Sequence, residues 1–133
     1  DSDFTEKVRV ATNKEQHWII VQEYLEAAHE GDKRILLLDG SPLGAILRVH
    51  KKGLELNNLD QGGTAVPSFL SDRDRAICEA LSDDLRENGV MFAGIDVIGG
   101  MLIEINITSP TGLQEMARFD GQPYHHDIIK RLD

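Results

Sequence analysis

The chain has 133 residues, 41 % of them hydrophobic and 28 % charged, which suits one soluble domain with one core. Its formal net charge of −9 argues against general nucleic-acid binding and against anionic membrane surfaces, both of which need basic residues to meet phosphate. No apolar run approaches the ~20 residues that span a bilayer, no charged-then-apolar leader opens the chain, and the single cysteine allows no internal disulfide, so the cytoplasm is the default expected residence.

In chain order, the first ~15 residues read as irregular apart from a short strand-like Val8-Arg9-Val10. Trp18 to Leu25 is β-rich and nearly all apolar at its start, so it is expected as a buried strand, with His17 and Trp18 structural. Gly31-Asp32 marks a turn before a second apolar strand, Arg34 to Leu38. Asp39-Gly40 is the strongest hairpin signal and leads into a third strand, Leu43 to Val49. Lys51 to Pro67 is polar, with Gly62-Gly63 at its centre. Ser71 opens a helix with Asp74 placed for a capping box; Ile77, Leu81 and Leu85 form its apolar stripe, and Asn88-Gly89 ends it. The lone Cys78 falls inside that helix as a small buried hydrophobe. Val90 to Ile98 and Leu102 to Ile107 are strands around a Gly99-Gly100 turn, and Thr111 to Arg118 and Pro123 to Leu132 are short helices. Hairpins with segregated helices predict an α+β fold, an antiparallel sheet with flanking helices.

The second hairpin carries the chemistry. On its return strand Glu104 and Asn106 share one face, and Ile103, Ile105 and Ile107 share the other. A two-residue Gly99-Gly100 loop would pair Asp96 with Ile103; a three-residue loop would pair Asp96 with Glu104 on one face. In the latter register two carboxylates lie ~5 Å apart, which is costly unless a cation binds them. With the amide oxygen of Asn106 they form a hard donor set of the kind Mg²⁺ prefers, and Gly94 on the same face leaves room for a ligand. The plain alternative is a hairpin with one solvated polar face.

Other candidates are weaker alone. Gln22-Glu23-Tyr24-Leu25 closes a strand. Asp32-Lys33-Arg34 offers an anion site or an ion pair, with Arg34 the better bidentate partner. Gly62-Gly63 offers a backbone nest or a flexible turn. Thr108-Ser109-Pro110-Thr111 offers hydroxyls and amides at a helix start, for a carboxylate or as plain caps. His125 and His126 diverge on a helix and read as surface residues.

Together, Gln22 to Leu25, Gly31 to Leu36, Asp39-Gly40, Asn58-Leu59 with Gly62-Gly63, Gly94 to Gly99 and Glu104 to Thr111 run in an order that resembles bacterial glutathione synthetase, an ATP-grasp ligase. The resemblance implies the C-terminal lobe of an ATP-grasp fold. It implies ATP and Mg²⁺ or Mn²⁺ as cofactors, with Asp96, Glu104 and Asn106 as metal ligands. It implies adenine contacts at Gln22, Glu23, Tyr24 and Leu25, a ribose contact at Asp32, and Arg34 beside the transferred phosphate. Asn58, Gly62, Gly63, Ser109, Pro110 and Thr111 would then line the substrates. The implied reaction joins a γ-glutamylcysteine-like peptide to glycine through an acyl phosphate. The family carries an Arg-Gly pair just before Asn58, where this chain has Leu56 and Asn57, so a different acyl substrate is one alternative. Another amino-acid ligase of the ATP-grasp class and a non-catalytic module derived from it are the others. The family's N-terminal substrate domain and first ATP-grasp half have no room in 133 residues. The chain alone is therefore expected to be inactive, its partners being small molecules and either that missing lobe or a second copy.

Overall fold

The computed structural model describes residues 2–49 and 64–132. The elements are α1 (Ser2–Ala11), a 3-10 turn (Glu26–Glu30), β1 (Asp32–Leu38), β2 (Ser41–Val49), β3 (Thr64–Ser68), α2 (Asp72–Glu87), β4 (Phe92–Ile98), β5 (Met101–Asn106), α3 (Leu113–Asp120) and α4 (Tyr124–Leu132). The strands form one sheet in the order β3-β2-β1-β4-β5. Every neighbouring pair is antiparallel, so the fold is the expected α+β arrangement.

The central strand β1 is buried on both faces. Ile35 and Leu37 pack with Ile77, Cys78 and Leu85 of α2 and with Ala93, Ile95 and Val97 of β4. Leu36 turns the other way, onto Ile46 and Met116 of α3. Because side chains alternate along a strand, Asp32 and Arg34 share the α3 face with Leu36, and Lys33 shares the α2 face with Ile35. The α2 cap is the expected box: Ser71 Oγ accepts from the Asp74 amide, and the Asp74 carboxylate accepts from the Ser71 amide at 2.8 Å.

Both hairpins turn on two residues with left-handed backbone, Asp39-Gly40 (φ +48° and +72°) and Gly99-Gly100 (φ +57° and +75°). Each then carries one unpaired residue on its return strand. In the first, Leu37 faces Pro42 and Leu36 faces Gly44, which leaves Leu43 over. In the second, Val97 faces Leu102 and Asp96 faces Glu104, which leaves Ile103 over. The loop is thus the short one, yet the Asp96–Glu104 register holds, because a β-bulge supplies the extra residue.

Four expectations are corrected. Val8-Arg9-Val10 lies in α1 rather than a strand, in a segment tied by Asp3–Lys7 and Glu6–Arg9 pairs at helical spacing. Trp18 to Leu25 has no regular structure; Trp18 and Ile20 are exposed, and His17 is too. Its apolar run has strand propensity, but among the described residues no strand pairs with it, and propensity alone orders no strand. The polar stretch before α2 ends in a strand, β3. Helix α3 starts at Leu113 with Gly112 as its N-cap (φ +110°) and no side-chain cap bond, so Thr108 to Thr111 does not cap it.

Candidate functional site

The register of β1 with its two neighbours sets four charged side chains on one face. Asp32 lies opposite Arg48 of β2, and Arg34 lies opposite Asp96 of β4. All four side chains are largely buried. Arg34 donates from Nε to Asp96 Oδ1 at 2.5 Å and from Nη2 to Asp96 Oδ2 at 2.9 Å. Its Nη1 donates to the Thr111 carbonyl at 3.1 Å. Arg48 donates from Nε to Asp32 Oδ2 at 2.8 Å, from Nη2 to the same oxygen, and bridges from Nη2 to Asp96 Oδ2 at 2.8 Å. Burial works against the Arg48 charge, but Asp32 and Asp96 outweigh it and hold its pKa above the ordinary value.

The quartet of two cations and two anions is neutral, which is how buried charges are tolerated. One acceptor is left over: Asp32 Oδ1 is buried with no hydrogen-bond partner among the described residues. Such an oxygen keeps an unmet hydrogen-bonding capacity inside the site.

Glu104 lies opposite Asp96 and is exposed; Asn106 lies opposite Gly94 and is half-buried, its Oδ1 accepting from the Thr108 amide at 3.1 Å. The three expected metal ligands therefore share one face. The cations that relieve the Asp96–Glu104 repulsion in this structure are Arg34 and Arg48. The donor set fits Mg²⁺: Asp96 Oδ1 accepts a single bond and keeps a lone pair, and Glu104 presents its carboxylate to solvent.

The expected ligand space at Gly94 is corrected. A methyl group there would stand 2.7 Å from Pro110 Cβ and 3.2 Å from Arg34 Cδ, so the missing side chain makes room for protein rather than for a ligand. Pro110 is buried, while Ser109 and Thr111 are exposed, Ser109 with φ +52°. Gln22, Glu23 and Tyr24 are exposed and Leu25 is half-buried. They lead into the 3-10 turn, whose Ala27 lies against Gly99 and whose following Gly31 sits against the Arg48 carbonyl. Gln22 to Leu25 therefore approach the end of the sheet that carries Asp32. Asn58, Gly62 and Gly63, with Leu56 and Asn57, lie outside the described residues.

The residue missed in the sequence is Arg48. Its signal was an arginine at the end of an otherwise apolar strand. Counting back from a plain Asp39-Gly40 turn pairs Asp32 with Leu47, and only the bulge at Leu43 brings Arg48 opposite. Lys33 turns to the other face, where it donates to Asp74 Oδ2 at 2.6 Å and to the Phe69 carbonyl at 3.0 Å.

This sheet with helices on both faces has the fold of an ATP-grasp ligase. It superposes on the D-alanine–D-alanine ligase of Bacillus anthracis, solved with ATP, with a TM-score of 0.58 and 16 % identity, over 91 % of this chain and 42 % of that one. Within that class the chain belongs to the family of the prokaryotic glutathione synthetase ATP-grasp domain, whose model matches residues 1–121. It is 49 % identical over 125 residues to a glutathione synthetase of Prochlorococcus marinus, covering 94 % of this chain and 41 % of that protein. It is 42 % identical over 133 residues to one of Nostoc, covering 100 % and 41 %. The chain thus spans about two fifths of the length of the curated relatives it matches.

Proposed function

We propose that this chain supplies the metal- and phosphate-holding face of an ATP-dependent carboxylate–amine ligase of the glutathione synthetase type. In this reading a γ-glutamylcysteine-like carboxylate is phosphorylated by ATP, and the amine of glycine displaces phosphate from the acyl phosphate. The observation that carries it is buried Asp96, gripped by Arg34 and Arg48, with Glu104 directly opposite. Family membership supports the same reaction class.

Each residue then has a task. Asp96, Glu104 and Asn106 hold Mg²⁺ or Mn²⁺, which when bound neutralises the phosphate oxygens during transfer. Arg34 and Arg48 supply fixed positive charge beside that position, where a dry, preorganised site makes it most effective. Asp32 Oδ1, lacking a donor among the described residues, is assigned to a ribose hydroxyl. The backbone of Gln22 to Leu25 meets the adenine edge. Ser109, Pro110 and Thr111 border the acceptor's carboxylate, with Asn58, Gly62 and Gly63 assigned to the peptide side by resemblance.

Calorimetry with a non-hydrolysable ATP analogue, with and without Mg²⁺, tests the reading. Binding that needs Mg²⁺ and vanishes in Glu104→Ala supports it. Binding that ignores both the cation and Glu104 would overturn the metal assignment. The chain alone is expected to form no ADP from ATP, γ-glutamylcysteine and glycine, since it spans only about two fifths of the length of its curated relatives.

A further inference from the structure

Arg34 is a long, flexible side chain held at 4 % exposure in the middle of the site, and something must fix where its guanidinium lies. Asp96, beside it on the neighbouring strand, fixes one edge. The segment Pro110-Thr111-Gly112 runs against the rest of the side chain. Thr111 accepts from Arg34 Nη1 at 3.1 Å. A methyl group on Gly112 would stand 3.0 Å from Ile46 Cδ1 and 3.5 Å from Arg34 Cγ, and its φ of +110° suits glycine. Buried Pro110 reaches down to Gly94, on the strand facing Arg34, where an added methyl group would meet Pro110 Cβ at 2.7 Å, Arg34 Cδ at 3.2 Å and Arg34 Nη1 at 3.4 Å.

We infer that Gly94 and the strap Pro110-Thr111-Gly112 form one positioning device for Arg34. The strap sits low enough to accept from Nη1 only because Gly94 has no side chain beneath Pro110. The device leaves Nη2 and Nε on Asp96 and directs the edge of the guanidinium by a second, independent contact. A fork held at both ends keeps its geometry when a ligand arrives, which is the condition for fixed charge to stabilise a transition state. Gly94, Pro110 and Gly112 are positioning residues, not catalytic ones. The consequence for turnover rests on the proposed ligase function; the positioning itself does not.

The test is the ¹⁵N resonance of Arg34 Nε–H in the intact protein, assigned by its loss in Arg34→Lys. Two bonds to Asp96 and a strap above predict a resolved signal with slow hydrogen exchange. Gly94→Ala is expected to shift that signal and speed its exchange. In a full-length ligase that carries this chain it should also lower kcat of ADP formation by roughly ten- to a hundredfold while leaving KM for ATP within about twofold. Adding Pro110→Gly removes the Cβ that the new methyl group strikes and is expected to restore both. A Gly94→Ala protein that is merely less stable, with the Arg34 signal, its exchange and kcat unchanged, would overturn the inference. Should Gly94→Ala not fold, Pro110→Gly alone decides, since it opens space instead of closing it: faster Nε–H exchange supports the strap, and unchanged exchange sinks it. The signal needs no turnover. An intact protein that forms no ADP would therefore count against the proposed function and leave the positioning test standing.

Discussion

Arg34 and Asp96 face each other across neighbouring strands and meet through two parallel bonds, at 2.5 and 2.9 Å, with Arg48, one strand further on, reaching the same carboxylate at 2.8 Å. Asp96 is thus the shared anion of two buried guanidiniums. Two facing carboxylates taken by themselves would gain from the loss of one of them. The geometry reverses the sign, since Asp96→Ala leaves Arg34 without its carboxylate. The expected cost is about 3–5 kcal/mol in urea denaturation, the range for breaking a buried pair. A variant as stable as the parent would contradict the buried pairing.

Glu104 behaves differently because its side chain is exposed. Glu104→Ala is expected to change stability by no more than about 0.5 kcal/mol. Its effect is expected in Mg²⁺-dependent binding of an ATP analogue, measured by calorimetry. The pair of variants separates the two roles on one hairpin, Asp96 for both structure and ligand, Glu104 for ligand alone.

Asp74 closes the N-terminus of α2 and receives Lys33 from β1 at 2.6 Å. Burial alone would raise its pKa, but the Lys33 bond and the Ser71 amide and hydroxyl outweigh burial and hold it below the ordinary carboxylate range. A depressed carboxylate stabilises the fold above its unfolded value, near ~3.9. That stability is lost as pH falls through the lower folded value. Asp74→Ala should cost about 2 kcal/mol at pH 7, from the cap and the ion pair together. The difference between variant and parent should shrink below about pH 4. A difference that persists undiminished at pH 2 would count against this linkage.

Cys78 is buried in the core beneath β1, and burial, with the nearby Asp74 charge, pushes its thiol up to about 11. Less than about 1 % of it is thiolate at pH 8, and the thiolate is the reactive form. A thiol reagent is expected to label it only after denaturant unfolds the chain. Rapid labelling of the native protein at pH 8 would show that α2 opens from the sheet.

The elements whose local signals agreed were legible in the sequence. Ser71 with Asp74, Asn88-Gly89, Asp39-Gly40 and the alternation of Glu104 with the isoleucines are each fixed by backbone chemistry within a few residues. The shared face of Glu104 and Asn106 followed from that alternation, whereas that of Asp96 hung on the turn. Three things were not legible. A bulge leaves no mark at Leu43 or Ile103, so counting from the turns tied the Asp96–Glu104 register to a three-residue loop and hid Arg48. Gly94 as a seat for Pro110 depends on a contact 16 positions along the chain, which no local pattern encodes. Trp18 to Leu25 has the composition of a buried strand, but burial depends on what lies alongside, and among the described residues nothing pairs with it.

The paired bulges have a consequence for chain length. Each return strand holds one residue more than its partner needs between the turn and the charged position. A deletion of one residue between Gly40 and Arg48, or between Gly100 and Glu104, could be absorbed by the bulge, with Arg48 still opposite Asp32 and Glu104 still opposite Asp96. A deletion between Arg34 and Asp39 has no such slack and would turn Arg34 from the α3 face to the α2 face. The site is therefore tolerant of shortening on its two outer arms and intolerant on its central one, an asymmetry that a scan of single-residue deletions would read directly.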